Sequence, residues 1–193
     1  MLLFDYDGVI ADSLHEAKRS FNLLAKKHDI QIEESEFQEL YADNFFKGLN
    51  QKGISDDKIH SIAKELQECL SYDNVKVFPE IPKIIKELSE RHTIIIISSN
   101  FSGLIRKHME DNNIEGISKV LGADSDFSKT RKILSIEGKD KVYIGDTTGD
   151  IREGKKAGVM TVAAAWGFHP KELLAKENPD HILEKPSDLL KLF

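Results

Sequence analysis

The amino-acid sequence predicts an α/β protein with a central parallel β-sheet and a block of helices inserted after the first strand. Three observations lead to this prediction. Short apolar runs alternate with helical patterns, as in parallel sheets whose strands are joined by helices. Polar clusters directly follow the apolar runs, at the sheet edge that usually carries chemistry. One long stretch near the N-terminus shows helical periodicity and no convincing strand.

The predicted strands are short and apolar. Residues 2–4 form the first, ending at Asp5, and residues 94–97 form a run of four isoleucines bounded by polar residues. A β-branched run of this kind is typical of a strand buried on both faces of a parallel sheet. Further strands are predicted at residues 142–144 and 160–164, with a weaker candidate at 120–121.

The predicted helices follow from the spacing of apolar residues. Ile81, Ile84, Ile85 and Leu88 have the i, i+3, i+4, i+7 spacing of an amphipathic helix, and residues 104–109 and 151–157 are similar. The segment from about residue 14 to 76 is also helical in pattern but is long for a simple crossover. We therefore predict three or four inserted helices, with residues 14–76 as a helical cap and residues 1–13 and 77–193 as the α/β core.

Composition narrows the class of protein. The chain has 193 residues and a formal net charge of −6, which suits one domain with a modest insert and argues against a general nucleic-acid or membrane-surface binder. The single Cys69 excludes an internal disulfide framework and a multi-cysteine zinc site. We expect a soluble cytoplasmic protein, a monomer or homodimer, with no nucleic-acid or membrane partner.

Asp5 and Asp7 form the first polar cluster. Two nearby carboxylates at a strand end can divide their roles, because one can attack as a nucleophile while the other transfers a proton. Gly8 gives the backbone freedom for a turn that swings Asp7 toward the same cavity. The alternative interpretation is an Asp-Gly turn with two solvated carboxylates.

The second acidic cluster is Gly145-Asp146-Thr147-Thr148-Gly149-Asp150. Its two aspartates lie four residues apart, between a strand and a helix, and such hard oxygen ligands suit Mg²⁺. The alternative is that Thr or Asp here caps the helix.

Two further features point toward an anion. Ser98-Ser99-Asn100 follows the isoleucine strand, and hydroxyls and backbone N–H groups at such a position can hold a phosphate oxyanion. Lys129 opens a predicted helix, where a cation is electrostatically out of place and so is expected to face something anionic. The alternatives are a serine helix cap and a solvated lysine.

The joint order of these clusters predicts phosphoryl transfer. That reaction depends on positioning and on neutralising phosphate charge, and it uses carboxylates, Mg²⁺, a hydroxyl and a lysine. Because the chain is acidic overall, a phosphate dianion needs a local cation, which Mg²⁺ and Lys129 could supply.

The same residues resemble the haloacid dehalogenase superfamily of hydrolases over nearly the whole chain. The motifs that carry the resemblance are Phe4-Asp5-Tyr6-Asp7-Gly8-Val9-Ile10-Ala11-Asp12-Ser13, then Ser99-Asn100, then Lys129, then Gly145-Asp146 through Asp150. The spacing of the first two resembles the subfamily with a helical cap, as in phosphoglycolate phosphatases and β-phosphoglucomutase. The resemblance implies a Rossmann-like three-layer core with a small α-helical cap.

The resemblance also implies roles. Asp5 would be the nucleophile and form an aspartyl-phosphate, and Asp7 would protonate the leaving group and then activate water. Mg²⁺ would be held by Asp5, the backbone carbonyl of Asp7 and Asp146, with Asp150 a direct or water-mediated ligand.

The phosphoryl group would be bound by Ser99 and Lys129, for which Ser98 and Lys132 are the respective rivals. Gly8 and Asn100, within the first and second motifs, are predicted to bind substrate. Asn44 and Lys47 are predicted to select the leaving group, because an amide and a lysine lie among aromatics in residues 41–48. The alternative for that stretch is that its phenylalanines form the core of the cap.

The presence of Asp7 favours phosphate chemistry over halide removal, since family members that remove halide lack this aspartate. The expected function is Mg²⁺-dependent hydrolysis of a small phosphorylated metabolite. A phosphomutase using the same Asp5 chemistry and a non-catalytic binding protein on the same fold are the alternatives.

Overall fold

A parallel β-sheet forms the centre of the molecule in the computed structural model, which describes residues 1–33, 36–41 and 45–193. In chain order the strands are β1 (Leu2–Phe4), β2 (Ala11–Asp12), β3 (Lys76–Val77), β4 (Ile94–Ile97), β5 (Ile117–Leu121), β6 (Val142–Gly145), β7 (Met160–Ala164) and β8 (His181–Leu183). Six of them form the sheet in the order β5-β4-β1-β6-β7-β8, with every neighbouring pair parallel. The predicted parallel sheet is confirmed.

Helices connect the strands. They are α1 (Leu14–Lys27), α2 (Phe45–Gln51), α3 (Asp56–Cys69), α4 (Ile81–Ser89), α5 (Ser102–Asp111), α6 (Lys129–Leu134), α7 (Thr148–Lys156), α8 (Lys171–Ala175) and α9 (Leu189–Leu192), with short 3-10 segments at Gln38–Tyr41 and Pro186–Asp188. Within the part of the chain that the structure describes, none of these helices could span a lipid bilayer.

Alternation along the strands builds two core layers, one on each face of the sheet. Phe4 and Ile96 pack on the face covered by α4, α5 and α9, whereas Leu3 and Ile95 pack on the opposite face with α6. Successive strand residues point to opposite faces, so both faces must be apolar. The three-layer α/β core implied by the resemblance is confirmed, as is the burial of the isoleucine strand on both faces.

The segment after β1 is helical, as predicted. Its described part contains α1, α2, α3 and one 3-10 segment, which share a separate apolar cluster that includes Phe21, Leu24, Leu40 and Ile62. Where the chain leaves and re-enters the core, β2 and β3 form a two-stranded antiparallel ladder that pairs Ala11 with Val77. The apolar cluster gives the insert a core of its own.

Candidate active site

The strand order brings the predicted polar clusters to one sheet edge. Strand β1 lies between β4 and β6, so the residues that follow these three strands are neighbours at their carboxyl ends. The backbone N–H of Asp5 donates to the carbonyl of Ile144 at 2.8 Å, which fixes the end of β1 against β6. Asp146 and Ser99 follow the two flanking strands, as the rule for parallel sheets requires.

Asp5, Asp146 and Asp150 form a buried carboxylate triad in which one oxygen of each lies within 4.8 Å of the others. Asp146 Oδ2 accepts a hydrogen bond from the backbone N–H of Phe168 at 2.6 Å. Asp146 Oδ1 is buried and has no hydrogen-bond partner among the described residues. Burial and the neighbouring carboxylates raise the pKa of Asp146 well above its ordinary value.

An orphaned carboxylate oxygen beside two further carboxylates fits a divalent metal ion. A buried polar atom without a partner is costly, and hard cations take such oxygen ligands. The donor set is all oxygen, with neither cysteine nor histidine, which suits Mg²⁺ better than zinc.

Lys129 joins the triad from the first turn of α6. Its Nζ donates to Asp5 Oδ2 and to Asp150 Oδ1, both at 2.6 Å. Although burial alone lowers the pKa of Lys129, Asp150 and Asp5 raise it above its usual range, so the ammonium stays charged. The cation predicted to face an anion does so, and the out-of-place lysine at the helix start is explained by these carboxylates.

The acidity of Asp5, like that of the other two carboxylates, is altered by its surroundings. Burial raises its pKa to about 7 even though Lys129 lowers it. The backbone N–H of Tyr6 donates to Asp5 Oδ1 at 2.7 Å, so the carboxylate is oriented from both ends.

Asp150 has both roles that its sequence context allowed, since it takes part in the cap of α7 and belongs to the carboxylate triad. Thr147 caps α7 by accepting from the Asp150 N–H, and Asp150 Oδ2 accepts from the Thr147 N–H at 3.1 Å. The hydroxyl of Tyr143 donates to Asp150 Oδ1 at 2.8 Å. Burial raises the pKa of Asp150, but Lys129 and these donors hold it below its ordinary value. The capping box therefore fixes a carboxylate of the site.

Asp7 is held apart from the triad. Its carboxylate accepts hydrogen bonds from the Ser13 hydroxyl at 2.7 Å, the Tyr72 hydroxyl at 2.8 Å and the Asn100 amide at 2.7 Å. It lines the same cavity as Asp5, but its side chain is not among the three that could share a metal ion. Asp5 and Asp7 therefore line one cavity, as the turn at Gly8 allows, but only Asp5 belongs to the triad.

Tyr72 is a site residue that sequence reasoning missed, because it lies in an irregular segment that carries no motif. Its ring stacks on His108 with centroids 4.8 Å apart. His108 Nε2 lies 2.9 Å from the carbonyl of Val75, which can only accept, so Nδ1 accepts from the Tyr6 hydroxyl at 2.6 Å. The ring of Tyr72 therefore packs on a buried histidine that is also anchored to the Val75 carbonyl.

The geometry distinguishes Ser99 from Ser98, and Lys129 from Lys132, as candidate phosphoryl ligands. Ser99 is exposed and lines the cavity, whereas the hydroxyl of the buried Ser98 accepts from the Asn100 N–H at 3.0 Å. Lys129 contacts the triad, whereas Lys132 is buried behind it and donates to the Ser98 carbonyl at 2.6 Å. Ser99 and Lys129 are therefore better placed than their rivals to meet a phosphoryl group.

The remaining predicted substrate contacts have different placements. Asn100 lines the cavity. Gly8 has a φ of +76° and lies against Asp146, where an added Cβ would come 1.8 Å from Oδ2, so the structure gives it a packing role. Asn44 lies outside the described residues, as does the side chain of Lys47 within α2, and their assignment stays a prediction.

The site opens into a cavity of about 160 Å³ between the core and the insert. Its polar end holds the triad, Asp7 and Lys129, and its other walls are largely aromatic and aliphatic. Tyr41 from the insert meets Phe168 from the core edge-on, with ring centroids 5.3 Å apart, so the insert covers the carboxylates directly.

Comparison with known proteins decides the family. A family model described as haloacid dehalogenase-like hydrolase matches residues 2–164. The chain belongs to the haloacid dehalogenase-like hydrolases. This confirms the resemblance carried by the four motifs, and the three carboxylates and Lys129 brought together at the sheet edge are the residues on which that resemblance depends.

Relatives of this hydrolase include phosphatases that match it end to end. It is 27% identical to a phosphoglycolate phosphatase of Synechococcus elongatus, over 98% of this chain and 94% of that protein. It is 35% identical to pyrophosphatase PpaX of Listeria monocytogenes serotype 4b, again over 98% and 94%. The chain is an enzyme of this hydrolase family, and its relatives in sequence are phosphatases.

Solved structures share the fold. The haloacid dehalogenase-like hydrolase SP0104 of Streptococcus pneumoniae has a TM-score of 0.83 at 20% identity, covering 100% of this chain and 97% of that one. A hydrolase of Pseudomonas syringae has a TM-score of 0.82 at 15% identity, covering 99% and 96%.

Proposed function

We propose that this hydrolase is a Mg²⁺-dependent phosphatase that cleaves a small phosphorylated metabolite through an aspartyl-phosphate on Asp5. The observation that carries the proposal is the placement of Asp5. It is a buried carboxylate at the floor of a cavity, bound by Lys129 at 2.6 Å and grouped with two further carboxylates. Opposite charges close to a carboxylate neutralise its repulsion of an incoming phosphate dianion.

The first chemical step uses Asp5 and Asp7. An Asp5 carboxylate oxygen attacks phosphorus, the bond from phosphorus to the leaving oxygen breaks, and Asp7 gives a proton to that oxygen. Ser99 and Lys129 hold the phosphoryl oxygens, and Asn100 orients Asp7 from the side.

The second step returns the enzyme to its starting state. A water oxygen attacks the same phosphorus, Asp7 takes the water proton, and the bond between Asp5 and phosphorus breaks to release phosphate. Asp5, Asp146 and Asp150, with the backbone carbonyl of Asp7, would hold Mg²⁺, which when bound supplies positive charge beside the phosphoryl group.

The division into a core (residues 1–13 and 77–193) and a cap (14–76) belongs to the same proposal. The ladder between β2 and β3 ties the two connections together, and the cap has its own apolar cluster. Hinges near residues 12–13 and 77–79 would let the cap open for substrate and exclude water when closed. We also propose that the enzyme is located in the cytoplasm.

The test of the proposed function is phosphate release by the full-length enzyme from an aryl phosphate, with Mg²⁺ and with EDTA. We expect turnover that EDTA abolishes and that falls by several orders of magnitude in Asp5→Asn, because an amide cannot form the intermediate. Asp111→Asn, an exposed change on α5, is the matched control and should keep full activity. Equal rates for Asp5→Asn and the wild-type enzyme would disprove the nucleophile.

A further inference from the structure

The cavity beyond the phosphoryl site points to a class of substrate. We infer that the enzyme, given the phosphatase function proposed above, acts on phosphomonoesters whose leaving group is uncharged and carries an apolar group about the size of one ring. This inference distinguishes the enzyme from phosphatases whose leaving group carries a carboxylate or is itself a phosphate. It depends on the described residues of the cavity, which come from both the core and the insert.

The walls that a leaving group would meet are apolar on both sides. The core contributes Phe101, Leu104 and Phe127, and the insert contributes Phe21, Phe45 and Leu66. These side chains line the same cavity as Asp5, so an ester bound with its phosphoryl group at Asp5 would place its alcohol portion against them. Apolar surface that stays next to apolar walls is removed from water, which favours an apolar alcohol.

Phe127 is the second observation that points to an apolar occupant. It lies two residues before Lys129, in a polar loop, and its side chain lines the cavity while 66% of the residue is exposed. Single exposed aromatics are common on protein surfaces, so the informative fact is that the side chain of Phe127 joins Phe101 and Leu104 in lining the same cavity. A ring in the cavity would cover Phe127 from the inside.

The charge of the cavity opposes a second anionic group. Six acids line it, namely Asp5, Asp7, Glu16, Asp146, Asp150 and Glu153. Lys129 is the one basic residue among the described residues that line it, and both Asp5 and Asp150 already bind its ammonium. Mg²⁺ and Lys129 together offset part of this charge for one phosphoryl group. Arg19 already pairs with Glu16 at 2.6 Å, so among the described residues that line the cavity no cation is left to bind a carboxylate or second phosphate on the leaving group.

The size of the cavity suits a leaving group of about one ring. Its volume of about 160 Å³ compares with the engineered apolar cavity of about 150 Å³ that binds benzene. Since the polar end must also receive the phosphoryl group, there is room for about one ring and a short linker.

The experiment compares three alkyl phosphates of similar intrinsic reactivity and adds pyrophosphate, whose leaving group is a second phosphate. The full-length enzyme with Mg²⁺ is given 2-phenylethyl phosphate, glycerol 3-phosphate, 2-phosphoglycolate and pyrophosphate. The first three are alkyl esters, so their leaving oxygens need protonation to a similar degree. We expect kcat/KM for 2-phenylethyl phosphate to exceed each of the others by about tenfold or more, the scale on which apolar pockets discriminate.

A matched pair of variants assigns that preference to the cavity. Phe127→Ser should lower kcat/KM for 2-phenylethyl phosphate by about fivefold and leave glycerol 3-phosphate within twofold. Leu134→Ser removes an apolar side chain from a residue 59% exposed outside the cavity and should change neither. Lys47→Ala is included because its side chain is not described and could bring a cation to the site.

The outcomes separate this inference from the proposed function. If 2-phosphoglycolate, pyrophosphate or glycerol 3-phosphate is the best substrate, the inference is overturned while the phosphatase stands, and a raised KM in Lys47→Ala would assign an anionic preference to that lysine. If no ester is hydrolysed, the phosphatase proposal fails, and binding decides the inference: 2-phenylethylphosphonate must raise Tm more than phosphonoacetate does. A larger shift with phosphonoacetate would overturn it.

Discussion

Lys132 shows what a buried lysine can do without touching substrate. Its Nζ donates to the carbonyls of Ser98 at 2.6 Å and Gly122 at 3.3 Å, the residues that follow β4 and β5. It thereby joins the loop that carries Ser99 to the neighbouring loop. Burial, with repulsion from Lys129, lowers the pKa of Lys132 to about 8. The sequence suggested Lys132 as a rival phosphate ligand, and the structure places it behind the site.

That lowered pKa predicts how stability depends on pH. In the unfolded chain Lys132 keeps its proton up to its ordinary pKa, 10.5, but in the folded protein it loses the proton near pH 8. Between these values the unfolded state binds more protons, so this residue makes stability rise with pH. Relative to Lys132→Met, the wild-type free energy of unfolding should increase by about 2 kcal/mol from pH 8 to pH 10.

Denaturant unfolding at pH 8, 9 and 10 measures that difference. Lys139→Met, which changes an exposed lysine, is the control and should show a difference from wild type that is constant with pH. A constant difference for Lys132→Met as well would mean that Lys132 keeps its proton in the folded protein.

At the scale of elements, the segment that returns from α3 to β3 connects the insert to the chemistry. Tyr72 lies in this segment, and its hydroxyl donates to both carboxylate oxygens of Asp7, at 2.8 and 3.0 Å. The Asn100 amide reaches both Asp7 and Tyr72 from the end of β4. The position of Asp7 therefore depends on where the insert re-enters the core, which makes Tyr72 a positioning residue.

Tyr72→Phe tests this role because it keeps the ring that stacks on His108 and removes the hydroxyl. We expect kcat/KM for an alkyl phosphate, which reports the steps up to departure of the leaving group, to fall about tenfold, since a misplaced acid protonates the leaving oxygen less often. With 4-nitrophenyl phosphate, whose leaving group needs no proton, kcat/KM should fall less than twofold.

The control for Tyr72→Phe is Tyr6→Phe, which removes a buried hydroxyl bound to His108 rather than to Asp7. It should lower Tm without separating the two esters. An equal loss with both esters in Tyr72→Phe would show a merely structural role.

Elements differed in how far the sequence predicted them. The isoleucine strand β4 and helix α4 were predicted because burial on both faces, or on one face, leaves a clear pattern over several residues. Strands β2 and β3 have two residues each and β8 has three, too few for a period to show. Their hydrogen-bonded neighbours in space determine them, and sequence spacing does not record those neighbours.

The residues of the candidate site also differ in whether the sequence pattern reveals them. Asp5, Lys129 and Asp150 stood out because each lies at the end of a strand or the start of a helix, where a polar residue is conspicuous. Tyr72 and Tyr143 looked like ordinary aromatic residues, although each donates a hydroxyl to a carboxylate of the cavity. The ring of such a tyrosine packs among apolar residues while its hydroxyl binds a carboxylate, so the sequence pattern shows only an apolar position.

On the scale of the whole molecule, the carboxylate triad is a source of instability that a metal ion would remove. The carboxylates come from the ends of β1 and β6 and from α7, at the centre of the sheet, and the Asp146 oxygen is buried without a partner among the described residues. The apolar layers on either face must offset this cost. Binding of Mg²⁺ to the folded state alone would therefore raise the stability of the entire chain.

Thermal unfolding with and without Mg²⁺ measures this effect. At a Mg²⁺ concentration about 100 times its Kd, the gain of about 2.7 kcal/mol should raise Tm by roughly 5–10 °C for a chain of this length. Asp146→Asn should lose most of that shift, and without Mg²⁺ it should unfold at a Tm equal to or above that of wild type, because the amide removes a buried repulsion. Asp111→Asn, on the surface, should keep the full shift. If Asp146→Asn gained as much from Mg²⁺ as the wild-type protein, the ion would bind elsewhere and the triad would not be its site.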